Sequence, residues 1–167
     1  MRQDAIPLEA PAGILICRLH VAKDVQIVAQ LTAMEKKLWK KAESWGPDLE
    51  KELKRRNTFA LYATTATLPS SPPSSASVLG YILYTTNGLV SHISKVIVAP
   101  AARRQGIGRA LVKASIEISQ KERRVGSVTL HVDADNIAAL GLYKSFGFNS
   151  EGAMLEVGST YGLIQDV

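Results

Sequence analysis

The apolar positions of the chain follow helical spacing in some stretches and form short strand-like runs in others. Between Val21 and about Ser44 they recur every three or four residues, the period of an amphipathic helix. Further helices are predicted from Asp48 to Arg56, from the turn after Pro100 to about Arg123, and from Asn136 to Phe146. Runs rich in β-branched or aromatic residues predict strands, at residues 14–19, 58–65, 78–86, 91–98 and 128–132, with short strands after Phe148.

This order of elements predicts one α/β domain over residues 1–167, with a mixed central sheet of about six to seven strands and helices on both faces. The length of 167 residues suits a single domain. Asn87-Gly88 is the strongest hairpin turn in the chain. The Ser/Pro-rich stretch 68–77 can form neither helix nor ladder, and we predict a surface loop there.

The most informative segment runs from Val96 to Val112, where an apolar strand stops at Pro100 and a basic turn with two glycines leads into a helix. Small residues let backbone N–H groups face an anion, and a helix N-terminus adds about half a positive charge. Arginines surround this turn, and their guanidinium groups suit phosphate. A Walker loop would need Lys-Ser/Thr after Gly108, and a dinucleotide fingerprint would need a third glycine.

The pattern Arg103-x-x-Gly106-x-Gly108 resembles the pyrophosphate loop of the GNAT superfamily of N-acetyltransferases. That resemblance implies the acyl-CoA N-acyltransferase fold and acetyl-CoA as cosubstrate. It places the backbone of residues 96–98 along the pantetheine and thioester, beside a splay between this strand and the strand that starts at Val128. The cofactor-binding residues implied here are Val96, Ile97, Val98, Arg103, Arg104, Gln105, Gly106, Ile107, Gly108 and Arg109.

A second motif, Asn136 followed by a helix that ends Tyr143-x-x-x-Gly147-Phe148, resembles the other signature of the same superfamily. By resemblance, Asn136 would hydrogen-bond the pantetheine arm and Tyr143 would be the general acid for the departing thiolate. The two residues are seven positions apart, about two helical turns, so both project from one face. The alternative for Tyr143 is a core tyrosine whose hydroxyl lies at the rim.

Transfer of an acetyl group to an amine needs a base, because the protonated amine has no lone pair with which to attack the thioester. Histidine is the first candidate, since its side chain titrates near neutrality. His92 and His131 lie on the two strands that flank the implied splay, and His131 alternates with Leu130 and Val132. The chain resembles ribosomal-protein and N-terminal protein acetyltransferases most closely. The position of His131 is a glutamate in the bacterial enzymes and a histidine in some eukaryotic ones. Each histidine could instead be a hydrogen-bonded structural residue.

The sequence says less about the acceptor, the amine that would receive the acetyl group. The passage from Met34 to Leu53 resembles one that lines the acceptor groove of N-terminal acetyltransferases, but a helix pair that packs Trp39 and Trp45 explains it equally well. Tyr161 offers one of the paired tyrosines that precede the last strand of those enzymes. Because the sequence stops at Val167, where that strand would just be starting, we expect a weakened or differently built last strand.

These features predict an enzyme that transfers acetyl from acetyl-CoA to a primary amine by direct attack. A protein amine, N-terminal or lysine, is the leading acceptor. A small-molecule amine (polyamine, amino sugar or drug-like amine) is an alternative acceptor. A CoA-binding module without turnover is the alternative to an enzyme.

The formal net charge of +5 favours a polyanionic ligand such as coenzyme A. Nucleic acid would also satisfy it, but the lysines of residues 35–56 are interleaved with Glu35, Glu43, Glu50 and Glu52, which is typical of solvated helix faces. No nucleic-acid partner is therefore expected.

Cys17 is the only cysteine, so we expect no intrachain disulfide and a small buried side chain. No run of about 18 apolar residues predicts a membrane span, and no cluster has metal-ligand spacing. We expect a cytoplasmic protein, with the nucleus also open, that is a monomer or a homodimer.

Overall fold

The computed structural model describes residues 10–38, 48–65 and 77–150, and the backbone of residues 160–166. Trp39, Trp45, the end of the first predicted helix and most of the Ser/Pro-rich stretch lie outside these residues, as does part of the region after Phe148 where short strands are predicted. The elements in chain order are β1 (Ile14–Arg18), α1 (Val25–Leu38), α2 (Leu49–Leu53), β2 (Thr58–Thr65), β3 (Val78–Asn87), β4 (Val90–Val98), a 3₁₀ turn (Pro100–Ala102), α3 (Ile107–Lys121), β5 (Ser127–Asp133), α4 (Ile137–Ser145), β6 (Asn149–Ser150) and β7 (Thr160–Asp166).

The strands form one seven-stranded sheet in the order β1-β2-β3-β4-β5-β7-β6. Only the β4–β5 pair is parallel among the described strands, and its crossover contains α3. The other neighbours are antiparallel, and a turn at Gly88 joins β3 to β4. The predicted mixed α/β sheet and the predicted hairpin are thereby confirmed.

Each face of the sheet carries its own apolar core. On one face, α3 and Tyr143 of α4 pack against β-strand residues such as Leu61, Ile82 and Leu130. On the other face, α1 and α2 cover a cluster that includes Leu31 and the buried Cys17. Burial of apolar area on both faces is the main favourable term for a fold of this kind.

An irregularity at Ser94 divides β4 into two halves. Tyr84 pairs with Ile93 while Leu83 pairs with Lys95, so one extra residue of β4 is accommodated as a β-bulge. Because side chains alternate along a strand, the extra residue exchanges the two faces beyond it. Ile93 therefore packs against the α3 side, whereas Ile97 packs against the α1 side.

The parallel pairing of β4 and β5 ends at Ile93 and Leu130, immediately before the bulge. Beyond that point the C-terminal half of β4 has no ladder to β5. The splay that the family resemblance implied between these strands is thus present in the structure.

Of the two alternatives for the last strand, the weakened strand is wrong. Strand β7 is seven residues long and pairs along its length with β5, from Thr160 opposite Asp133 to Asp166 opposite Ser127. Its other edge pairs with β6. The ladder satisfies backbone groups on both sides of β7, which makes it an internal strand of the sheet.

The interpretation of Glu35 as part of a solvated helix face is also wrong. Its side chain is fully buried, and Lys95 Nζ donates to Glu35 Oε1 at 2.8 Å. The Tyr81 hydroxyl donates to the same oxygen at 2.9 Å. The bulge aims Lys95 at α1, and a buried charge requires such a partner. This buried Glu35–Lys95–Tyr81 cluster ties α1 to β3 and β4.

Within the described residues, no helix combines the length and the apolar character needed to cross a bilayer.

The buried cluster yields a stability prediction. Lys95→Met leaves the Glu35 carboxylate buried without its cation, so we expect the free energy of unfolding to fall by about 3–5 kcal/mol in urea titrations. The double variant Glu35→Gln/Lys95→Met removes both charges and should recover most of that loss. Lys121→Met, which breaks the exposed pair with Glu117, is the matched control with an expected loss below about 0.5 kcal/mol. If the two lysine variants lowered the free energy of unfolding equally, this would contradict the assignment of Glu35 and Lys95 as a buried ion pair.

Candidate functional site

The turn between β4 and α3 places two residues in the left-handed backbone region. Arg104 has φ 65° and Gly106, the N-cap of α3, has φ 78°. Glycine tolerates this conformation, whereas an arginine is strained by about 1 kcal/mol or more. Left-handed residues in such a turn direct successive N–H groups to one side, and the first four N–H groups of a helix lack helical partners. The turn therefore presents donors for an anion.

A cleft of about 590 Å³ opens beside this turn. It lies between the C-terminal half of β4, the start of α3 and the inner face of α4, where the β4–β5 ladder has ended. The described residues that line it are Leu38, Val96, Ile97, Val98, Arg103, Arg104, Gly106, Gly108, Arg109, Asn136, Ala138, Ala139, Leu142 and Tyr143. Three arginines and no carboxylate occur among these side chains, so the cleft favours an anionic ligand with an extended apolar part.

The arginines of the turn are held by contacts with the protein. Arg103 Nε donates to the Val98 carbonyl oxygen at 3.2 Å, which fixes the start of the turn against the end of β4. Arg109 Nη1 donates to Ser145 Oγ at 2.7 Å, and its guanidinium lies 4.8 Å from the centre of the Phe146 ring. These contacts orient two of the three positive charges before any ligand binds.

Asn136 and Tyr143 both line the cleft, from opposite ends of α4. Asn136 is the N-cap, and its Oδ1 accepts from the Ala139 N–H at 3.1 Å. Tyr143 is buried and packs edge-on against Phe148, with 5.8 Å between ring centres. Burial raises the pKa of Tyr143 to about 12, so its hydroxyl stays protonated at neutral pH.

Two of the implied cofactor residues lie away from the cleft lining. Ile107 is almost fully buried in the α3-side core, and only its backbone can take part in the turn. Gln105 is exposed, and its side-chain amide donates to the Ala101 carbonyl oxygen at 3.2 Å. Conversely, the sequence analysis missed Leu38, Ala138, Ala139 and Leu142. The three α4 residues were detectable, since they lie on the helix between Asn136 and Tyr143.

His92 and His131 are brought together by the strands on either side of the splay. Their ring centres are 5.1 Å apart, and His92 Nδ1 lies 2.9 Å from Thr129 Oγ1. Burial, and then the charge of His131, lower the pKa of His92 below its usual 6.5. His131 is exposed while Leu130 and Val132 are buried on the α3 side, so alternation directs both histidines to the α1 side.

The site therefore has two sides. Val98, Asn136 and Tyr143 line the cleft on the α3 and α4 side, and the two histidines lie on the α1 side. Beyond Ile93 no ladder hydrogen bonds join β4 to β5, so the sheet is interrupted between the two sides, and neither histidine lines the cleft. No group of three or more potential metal ligands occurs in the described part of the chain.

A family model described as the acetyltransferase (GNAT) family matches residues 32–148, more than half of the chain. The chain therefore belongs to this family. Its fold is also that of solved family members: the PaiA N-acetyltransferase of Thermoplasma acidophilum, solved in complex with coenzyme A, superposes with a TM-score of 0.66 at 17% identity. That similarity covers 92% of this chain and 99% of the other.

Two curated relatives share local similarity. Mycothiol acetyltransferase of Renibacterium salmoninarum is 46% identical over 59 residues, which are 35% of this chain and 17% of the relative. The ribosomal protein bS18-alanine N-acetyltransferase of Escherichia coli K12 is 46% identical over 54 residues, which are 32% of this chain and 36% of the relative. The matched stretches thus span well under half of these relatives, whose names differ in the acceptor.

The turn between β4 and α3, which presents backbone N–H donors to the cleft, predicts the effect of a side chain at Gly108. A Cβ there would meet Val98 at an ordinary 3.6 Å, so Gly108→Val should fold while its methyl groups project into the cleft. We expect coenzyme A binding to weaken by about tenfold or more in calorimetric titrations, because the ligand must displace or avoid those methyls. Gly141→Ala, at an open position of α4, is the control. If the Gly108 variant bound coenzyme A with wild-type affinity, this would contradict the placement of coenzyme A in the cleft beside Gly108.

Proposed function

We propose that this protein is an acetyl-CoA-dependent N-acetyltransferase that acetylates a primary amine by direct attack. Family membership supports the reaction class, and the basic, donor-rich turn beside an apolar cleft supports coenzyme A as the ligand. The single observation that carries the proposal is the opening between β4 and β5. The cleft with Tyr143 and the histidine pair lie on opposite faces of the sheet beside this opening.

The residues of the cleft fit the parts of coenzyme A. The N–H groups of the turn at Arg104 to Gly108 and the nearby guanidinium groups would hold the diphosphate. Val96 to Val98 have no strand partner on the β5 side, so their backbone groups can hydrogen-bond the pantetheine and polarise the thioester carbonyl. The thioester supplies the acetyl group, and Asn136 would orient the arm that carries it.

Tyr143 is proposed as the general acid. Because burial keeps its hydroxyl protonated, it can donate a proton to the thiolate as the thiolate departs. The edge contact with Phe148 and the position on α4 hold the phenol ring at the wall of the cleft.

His131 is proposed as the base that accepts the proton of the attacking amine, with His92 as its neighbour. His131 is the exposed member of the pair and lies on the side open to an acceptor. His92 stays neutral at pH 7 because its pKa is lowered, so the pair does not present two positive charges to an incoming ammonium group. The hydroxyl of Thr129 holds the His92 ring in place.

We propose a protein amine, N-terminal or lysine, as the acceptor. The relative named for an alanine of ribosomal protein bS18 supports this choice, and the relative named for mycothiol supports the small-molecule alternative. The discriminating experiment incubates the protein with acetyl-CoA and a peptide library or a panel of small amines, and measures free thiol. Saturable coenzyme A binding without thiol release from any amine would instead support a module without turnover.

Tyr143→Phe tests the acid. The substitution keeps the ring and its contact with Phe148 but removes the proton donor, so we expect kcat to fall about 100-fold while coenzyme A affinity is retained. Tyr62→Phe removes another buried phenol hydroxyl, on the α1 side of β2, and serves as the control. An unchanged kcat for the Tyr143 variant would remove Tyr143 from the mechanism.

The histidines predict a pH dependence. As pH falls through the lowered pKa of His92, below its usual 6.5, His92 gains a positive charge 5.1 Å from His131 and then repels an incoming ammonium group. We therefore expect kcat/KM for the amine to fall on the acid side through that range, and His92→Gln to make this limb shallower without abolishing it, because a protonated amine still cannot attack. His131→Gln should lower kcat about 100-fold at pH 7.5. A larger loss in His92→Gln than in His131→Gln would transfer the role of base to His92.

A further inference from the structure

The cofactor cleft is bordered from both faces of the sheet, because one of its lining residues belongs to α1. Leu38, the last residue of α1, packs against the α1-side core, yet it lines the same cleft as Val98 and Tyr143 of the α3 side. Ile97 has the same double position, since it is buried in the α1-side core and borders the cleft. The cleft therefore passes the unpaired edge of β4 and reaches the α1 side beside Leu38.

The two ends of the cleft differ in chemistry. All three arginines of the described lining lie in the turn after β4 or in the first turn of α3, which makes that end cationic. Val96 lies two residues before Val98, about 6–7 Å further from the turn. Together with Leu38 and Ile97 it borders the other end of the cleft. These three side chains are apolar, so the described wall at that end favours a hydrocarbon group.

The wall formed by Leu38 is anchored to the sheet. Glu35 lies one turn earlier in α1, on the same side of the helix. Its buried carboxylate accepts from Lys95 Nζ and from the Tyr81 hydroxyl. These bonds tie the last turn of α1 to β3 and to the strand that carries Ile97. A ligand that presses on Leu38 therefore meets a helix whose position is fixed by a buried ion pair.

We propose that Leu38 sets the length of the acyl group that the cleft accepts, with Ile97 as the neighbouring wall. This assignment rests on the proposed function, which places the diphosphate of an acyl-CoA at the turn. The pantetheine then follows the unpaired edge of β4 away from the turn, and the acyl carbons, at the far end of the ligand, reach the apolar end. An acetyl group ends at Leu38, whereas the two further methylenes of a butyryl group collide with the leucine side chain.

Leu38→Ala tests this limit through binding alone, so no acceptor amine is needed. The measured quantity is the Kd of butyryl-CoA divided by the Kd of coenzyme A, each from calorimetric titration of the full chain. The truncation opens space for the two extra methylenes, and each methylene gains about fourfold in affinity when buried. We expect the ratio to fall about tenfold, and Leu38→Phe, with its longer side chain, to raise it.

Met34→Ala is the matched control. Met34 lies one turn before Leu38 in α1 and packs against the same core, but it does not line the cleft. It should leave the Kd ratio unchanged. The wild-type protein supplies a second measurement that needs no variant to fold. In methyl NMR spectra, the Leu38 signals should shift more with butyryl-CoA than with coenzyme A, and the Met34 signal should respond equally to both.

The outcomes separate the role of Leu38 from the proposed function. Failure of the wild-type protein to bind coenzyme A would overturn both. If coenzyme A binds, three results would overturn the role of Leu38 alone: an unchanged Kd ratio in Leu38→Ala, an equal change in Met34→Ala, or Leu38 methyl signals that respond identically to butyryl-CoA and coenzyme A.

Discussion

The bulge at Ser94 is the constraint on which the site depends. A regular β4 would direct residues 93, 95 and 97 to the same face and would continue its ladder with β5. With one extra residue, Ile93 stays on the α3 side while Lys95 and Ile97 turn to the α1 side. Val96 and Val98 consequently line the cleft, and the ladder to β5 stops at Ile93. One inserted residue thus produces both the opening in the sheet and the backbone groups that border it.

In the proposed reaction, this opening would let two reactants on opposite faces of the sheet meet. A closed parallel ladder between β4 and β5 would leave the cleft and the histidine pair on opposite faces of a continuous wall. The long antiparallel ladder of β7 on the other edge of β5 keeps β5 in place although half of its β4 edge is unpaired. The family match to residues 32–148 includes every element that forms the opening, from the end of α1 to Phe148.

Much of this fold was predictable because its signals are local. The bounds of β2 at Thr58–Thr65 followed from composition alone, and the turn at Gly106 followed from glycine spacing. The bulge was not predicted, although the adjacent polar residues Ser94 and Lys95 interrupt the alternation of the strand. Glu35 shows the limit of charge as a guide. It lies four residues after the buried Leu31, so its spacing placed it on the packed face, but only the tertiary structure supplies Lys95 as partner.

The buried Glu35–Lys95–Tyr81 cluster is better explained by orientation than by stability. Apolar contacts are non-directional, and α1 could slide or rotate on the sheet with little change in buried area. The Lys95 ammonium and the Tyr81 hydroxyl both donate to one oxygen of Glu35, and this geometry fits a single position of α1 on the sheet. Lys95 is the first residue after the bulge, and α1 ends at Leu38, which lines the cleft. The cluster therefore fixes α1 to the part of β4 where the cleft begins.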